Sequence, residues 1–131
     1  MPALSIAARF CGPPGAANGG YLSGRLSSFA TGIQRIRLRA PVPVDSELQL
    51  VEADEGLDLL QGDRVLANAR PAPLELRVPH APDYVAALAA SRRFVAFGCH
   101  AFPGCFVCGD GRARGDGMRL EGDAFGGEMN A

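Results

Sequence analysis

Apolar residues recur at two spacings along this chain, and the change of spacing falls at Gly32. Before it, Leu22, Leu26 and Phe29 stand at i, i+4 and i+7, the spacing of one helical face. Asn18 is placed to cap that helix, and Gly32 to end it, so a helix is expected over 18–31. Gly19, Gly20 and Gly24 lower its intrinsic propensity, so packing must hold it. After Gly32 the period is two. In 33–39, Ile36 and Leu38 face one way while Arg35, Arg37 and Arg39 face the other. Pro41 and Pro43 end that strand or place it at an edge. Leu48 and Leu50 alternate within 46–53. Asp54-Glu55-Gly56 and Gln61-Gly62-Asp63 read as turns, which leaves short strands at 57–60 and 64–70. The last of these carries Val65, Ala67 and Ala69 on one face. A further strand is expected at 7–11, before Gly12-Pro13-Pro14-Gly15 breaks regular structure.

A lone helix beside an antiparallel meander must bury its apolar stripe against the sheet, so the fold class expected is α+β. Pro71, Pro73, Pro79 and Pro82 mark an extended connector, and Asp83 is placed to cap a short helix running to Arg93. Beyond it lie Cys99-His100, Cys105-Phe106-Val107-Cys108-Gly109 and a tail rich in Gly and Asp. That tail holds one strand-like stretch, 117–121.

Length and charge narrow the reading. A chain of 131 residues suits one domain and scarcely allows two. The net charge of −1 gives no global field for nucleic acid or an anionic membrane, and neither is expected as a partner. No apolar run approaches the roughly 18 residues that span a bilayer. The opening residues make a poor secretion signal, so a cytoplasmic protein is expected. Cys11, Cys99, Cys105 and Cys108 should then be reduced thiols or metal ligands rather than disulfides. All 13 cations are Arg, each a planar fork suited to carboxylate or phosphate.

The helix opening Asn18-Gly19-Gly20-Tyr21-Leu22 resembles the start of the central helix in the thioesterase-like hotdog superfamily, in which a sheet wraps around one helix. Cys105-Phe106-Val107-Cys108-Gly109 with Gly117-Met118-Arg119-Leu120 is similar to a segment near the start of hotdog domains in many thioesterase-like proteins. Together these resemble a double-hotdog protein of the acyl-CoA thioesterase type with most of its second domain absent. The resemblance implies a hotdog-like domain over 1–80, a connector with a short helix over 81–103, and the opening of a second hotdog over 104–131. It also implies an acyl-CoA or related thioester as ligand, and a homodimer in which sheets join edge to edge.

In such proteins backbone N–H groups at the helix start hold the thioester oxyanion. That role falls here to Gly19 and Gly20, with Asn18 placed to orient a water; close helix–sheet packing and capping explain the same residues. Arg35, Arg37 and Arg39 either meet CoA phosphates or form a solvated outer face. No acidic residue precedes Asp45, which itself reads as a turn residue, so hydrolysis by this chain alone should be weak or absent. His80 and His100 read as loop residues. Cys99, His100, Cys105 and Cys108 offer enough ligands for zinc, but the adjacency of the first two is awkward and a second Cys-x-x-Cys is missing. Buried structural thiols, no metal and no cofactor are the expectation; a Cys-x-x-Cys redox pair is disfavoured because no helix start clearly follows it.

Overall fold

A computed structural model describes residues 3–93 and 100–118. It is α+β. Five antiparallel strands lie in the order β1-β3-β4-β5-β2, where β1 is Ala3–Leu4, β2 Gln34–Leu38, β3 Leu48–Ala53, β4 Gly56–Gln61 and β5 Arg64–Pro71. Helix α1, Gly19–Ser27, packs against this sheet, and helix α2, Tyr84–Ser91, follows an extended stretch.

Local signals set the helix ends. Asn18 accepts a hydrogen bond from Tyr21 N at 3.0 Å through its side chain, so the expected cap forms. The helix stops four residues earlier than the 18–31 expectation, at Ser27, and Gly32 turns the chain with φ +72°. Phe29 therefore lies beyond the helix and is 40% exposed, whereas Leu22 and Leu26 are fully buried. Asp83 caps α2 by accepting from Ala86 N at 2.8 Å. The segment between β5 and α2 carries no regular structure, and Leu74, Leu76 and Val78 on it are exposed.

The core is one cluster. Leu22 and Leu26 from α1 meet Leu48 and Leu50 of β3, Leu59 of β4, and Leu66 and Ala67 of β5, with Leu4, Ile6 and Val42 closing its end. One side of the sheet is therefore dry, and the other carries Asp58, Asn68, Arg35 and Arg37.

Two expectations are corrected. The segment 7–11 is not a strand: Ala8–Phe10 is a turn of 3-10 helix, opened by Asp45 Oδ1, which accepts from Ala8 N at 2.9 Å. Cys11 contributes only an isolated bridge to Ala17. The paired strand is the shorter Ala3–Leu4, held on Gln49 and Leu48. In β5 the alternation breaks. Leu59 pairs with Ala67 but Leu60 pairs with Val65, so Leu66 is an extra residue, a β-bulge. The bulge drops Leu66 into the core at 1% exposure and turns Val65 outward at 37%. Its carbonyl is not wasted, because it accepts from both Arg39 N and Ala40 N.

Truncating Leu26 should leave a cavity that this packing cannot close. Leu26→Ala should cost about 2–5 kcal/mol in denaturant unfolding, while Phe29→Ala costs less than about 1 kcal/mol. Equal losses would mean that the helical stripe runs on to Phe29.

Candidate functional site

The start of α1 is where most of the chemistry gathers. Four N–H groups at a helix N-terminus lack intrahelical partners. Here Asn18 N donates to Phe10 O at 2.8 Å and Tyr21 N to the Asn18 side chain. No acceptor among the described residues meets Gly19 N or Gly20 N. Among the described residues both glycines thus present free donors at the positive end of the helix dipole. A Cβ on Gly19 would come within 3.0 Å of Leu38 Cδ1, so this glycine also serves close helix–sheet packing.

Beside Gly19 opens an apolar cleft of about 370 Å³, walled by Ala17, Leu22, Leu38 and Val42, with Arg39 also lining it. Among the described residues no carboxylate lines this cleft. Asp45 sits at φ +51° in a turn and is committed to Ala8 N. The three arginines predicted from the strand pattern do come together. Arg35, Arg37 and Arg39 surround a second hollow of about 210 Å³ with Asn68 and Arg70. Arg70 is neutralised by Asp58 Oδ1 at 2.7 Å and anchored on Leu57 O and Ala69 O. The other three have no ion partner among the described residues. Arg39 is shared by both hollows.

The cysteine segment docks onto the same end of α1. Phe106 N donates to Cys11 O at 2.8 Å, and the Phe106 ring meets Phe10 edge-on at 4.9 Å. Phe10 in turn stacks on Tyr21 of α1 at 3.9 Å. Arg112 ties the loop down. It donates to Gly104 O at 2.8 Å and grips both oxygens of Asp116 at 3.0 Å, while Arg9 reaches the same carboxylate at 3.1 Å. These two guanidinium groups, Arg112 foremost, hold the Asp116 carboxyl below its ordinary value.

Cys105 is 6% exposed and takes a weak hydrogen bond from the Asn18 amide at 3.8 Å. The Cys108 S–H donates to it at 3.4 Å. Burial pushes the Cys105 thiol up, but backbone N–H groups of Cys108 and Val107, the Cys108 thiol and Asn18 together outweigh it, and the net shift is downward. Cys108 goes the other way, raised by burial and by its neighbour. Among the described residues no group of three or more His, Cys, Asp or Glu stands close enough to hold a metal ion. Cys99 lies outside the described residues. His100 accepts from Phe102 N through Nδ1 at 2.9 Å, a turn contact, and His80 is exposed. Of the stretch 117–121, only Gly117 and Met118 fall within the described residues; Met118 N donates to Phe106 O.

Sequence reasoning missed the aromatic trio and the Arg9–Asp116–Arg112 clasp. The Arg112–Asp116 arm is an i,i+4 pair, but the Arg9–Asp116 arm spans 107 positions and Phe106 is far in sequence from Phe10 and Tyr21, so neither assembly as a whole has a local signal. No protein-family model, curated protein or solved structure matches the chain. Among the described residues no helix is long and apolar enough to cross a membrane.

A carboxyl depressed in the folded state adds stability above its ordinary value of 3.8, and that stability is lost as pH falls through the folded value. The unfolding midpoint should therefore drop as pH is lowered below about 4. Asp116→Asn should start lower at neutral pH and drop less on acidification. Identical acid profiles for the two proteins would rule out the clasp as a source of stability.

Proposed function

We propose that this chain is a hotdog-like, acyl-CoA thioesterase-type domain that binds an acyl thioester and hydrolyses it weakly or not at all by itself. The observation that carries this reading is the cleft beside α1. One wall is apolar, Gly19 with its free N–H stands at the helix start, and Arg39 lines both this cleft and the arginine hollow. An acyl chain fits the apolar wall. The thioester oxygen would take the donors of Gly19 or Gly20, and the CoA phosphates would meet Arg35, Arg37 and Arg39. The five-stranded antiparallel sheet against one capped helix is compatible with a hotdog fold.

A non-catalytic reading, in which the chain binds an acyl or CoA ligand or serves as an assembly surface, draws support from the carboxylates. Among the described residues none lines the cleft, and Asp45 is bound to backbone. Asn18 accepts the Tyr21 N–H through its side-chain oxygen, so helix capping accounts for this residue without a catalytic role. Oxyanion donors without a base bind a thioester but do not activate water against it.

A homodimer follows from the same reading. β2 pairs only with β5 among the described residues, and Ile33 just before it and Leu38 at its end are 52% and 51% exposed. Two copies about a two-fold axis can join along this edge. Three arginines on its outer face discourage indiscriminate pairing and would favour a partner that shares an anion between the two.

Isothermal titration with a medium-chain acyl-CoA should show binding that weakens with added salt. Replacing Arg35, Arg37 and Arg39 together by Ala should weaken it roughly 10- to 100-fold, at up to about 1 kcal/mol per exposed contact. Hydrolysis of a panel of acyl-CoA thioesters should stay at the uncatalysed rate. No binding at all would remove the reading; robust turnover would remove its non-catalytic half.

Light scattering after gel filtration should give twice the 13.7 kDa chain mass. Leu38→Glu should shift it to monomer. A soluble monomer of the unsubstituted chain across dilution would contradict the edge-paired dimer.

A further inference from the structure

The Cys105–Cys108 loop is built more tightly than a pair of structural thiols requires. Gly109 N donates to Cys105 O at 2.9 Å, Gly111 N to Pro103 O at 3.0 Å, and Cys105 N to Phe102 O at 2.9 Å. The turn closes so closely on Gly109 that a Cβ there would lie 2.3 Å from Pro103 O and 2.6 Å from Cys105 N and O. This closure folds the chain back so that the two sulfurs stand 3.4 Å apart, against about 2.05 Å in a disulfide. Small χ rotations within the four-residue loop span that gap. The electrostatics are unequal: donors converge on Cys105, while Cys108 keeps its proton and donates a hydrogen bond to Cys105. Cys108 is also the more exposed of the two.

We propose that Cys105 and Cys108 form a redox-active dithiol that a small hydroperoxide oxidises to an intra-loop disulfide and that thiols reduce again. The Cys105 thiolate attacks one peroxide oxygen. An S–O bond forms, the O–O bond breaks, and the departing alkoxide or hydroxide takes up the proton that the Cys105 thiol released. Cys105 is then a sulfenic acid. Cys108 attacks its sulfur; the S–S bond forms, the S–O bond breaks, and hydroxide leaves with the Cys108 proton as water. Two electrons pass from the sulfurs to the peroxide, and two equivalents of thiol return them.

The oxidation state would be felt at α1. The sulfur that becomes part of the disulfide is the one that Asn18 Nδ2 contacts, and the other end of the same amide caps the helix at Tyr21 N. The proposal is independent of any acyl ligand, and its test does not use one.

Hydrogen peroxide is added to the reduced full-length protein at graded concentration and pH, and the thiols are then alkylated and mapped by peptide mass spectrometry. The expected result is a Cys105–Cys108 disulfide with a loss of two hydrogens, formed at least tenfold faster than Cys11 is oxidised. It should reverse with dithiothreitol, and its rate should rise with pH through a midpoint below the ordinary free-thiol range near 8.5. Cys108→Ser should stop at a Cys105 sulfenic acid that dimedone traps. Cys105→Ser should lose the fast phase, and circular dichroism would check that both variants fold. Oxidation of Cys105 no faster than that of Cys11, a disulfide that joins Cys99 or Cys11 instead, or equal rates in native and urea-unfolded protein would each overturn the proposal.

Discussion

Burial of Leu22 and Leu26 against the leucines of β3, β4 and β5 is the interaction on which the rest depends. α1 has only nine residues, opens on two glycines and carries a third in its middle, so it would not persist in water alone. The dry contact with the sheet holds it, and the bulge at Leu66 extends that contact by one side chain. With the helix fixed, its N-terminus becomes a stable platform. The free donors, the cleft and the docking of the cysteine loop all use that one end.

The two candidate chemistries at this end share Asn18 but are carried by different atoms. Its oxygen belongs to the helix and its amide nitrogen faces Cys105. The arginine face lies on the opposite side of the sheet from the leucine core, so anion binding there requires no rearrangement of the core. Arg39 is the exception. It stands just past the end of β2, where the strand's alternation no longer dictates its side, and this is why it can line both hollows.

Much of the fold was legible because its signals are local. Asn18 and Asp83 cap as their types suggest, Gly32 and Gly56 turn the chain at positive φ, and Arg35 and Arg37 take the face opposite Ile36. The errors have identifiable physical causes too. Residues 7–11 read as extended, but the Asp45 carboxylate, 37 positions away, organises Ala8–Phe10 into a helical turn. Val65 was placed inward because alternation assumes an unbroken ladder, and one inserted residue reverses it. For the candidate site, the helix-start glycines and the three arginines were readable as residue types in pattern. The low-lying Cys105 thiol was not, since the turn that aims N–H groups at it follows from tertiary closure on Gly109 rather than from a helix start.

The clasp between Arg9, Asp116 and Arg112 has a consequence for the order in which the chain assembles. It joins positions 107 apart, whereas the meander from β3 to β5 is made of neighbours in sequence. Closing so long a loop costs entropy that only already-formed structure can offset, and here the receiving surface is Phe10 and Tyr21 on a folded helix end. During synthesis the hairpins and α1 can therefore form first, while the loop bearing Cys105 and Cys108 is still inside the ribosome or not yet made. Until Phe106 emerges, the start of α1 lacks its aromatic lid, and until Asp116 emerges Arg9 and Arg112 lack the carboxylate that fastens the lid down.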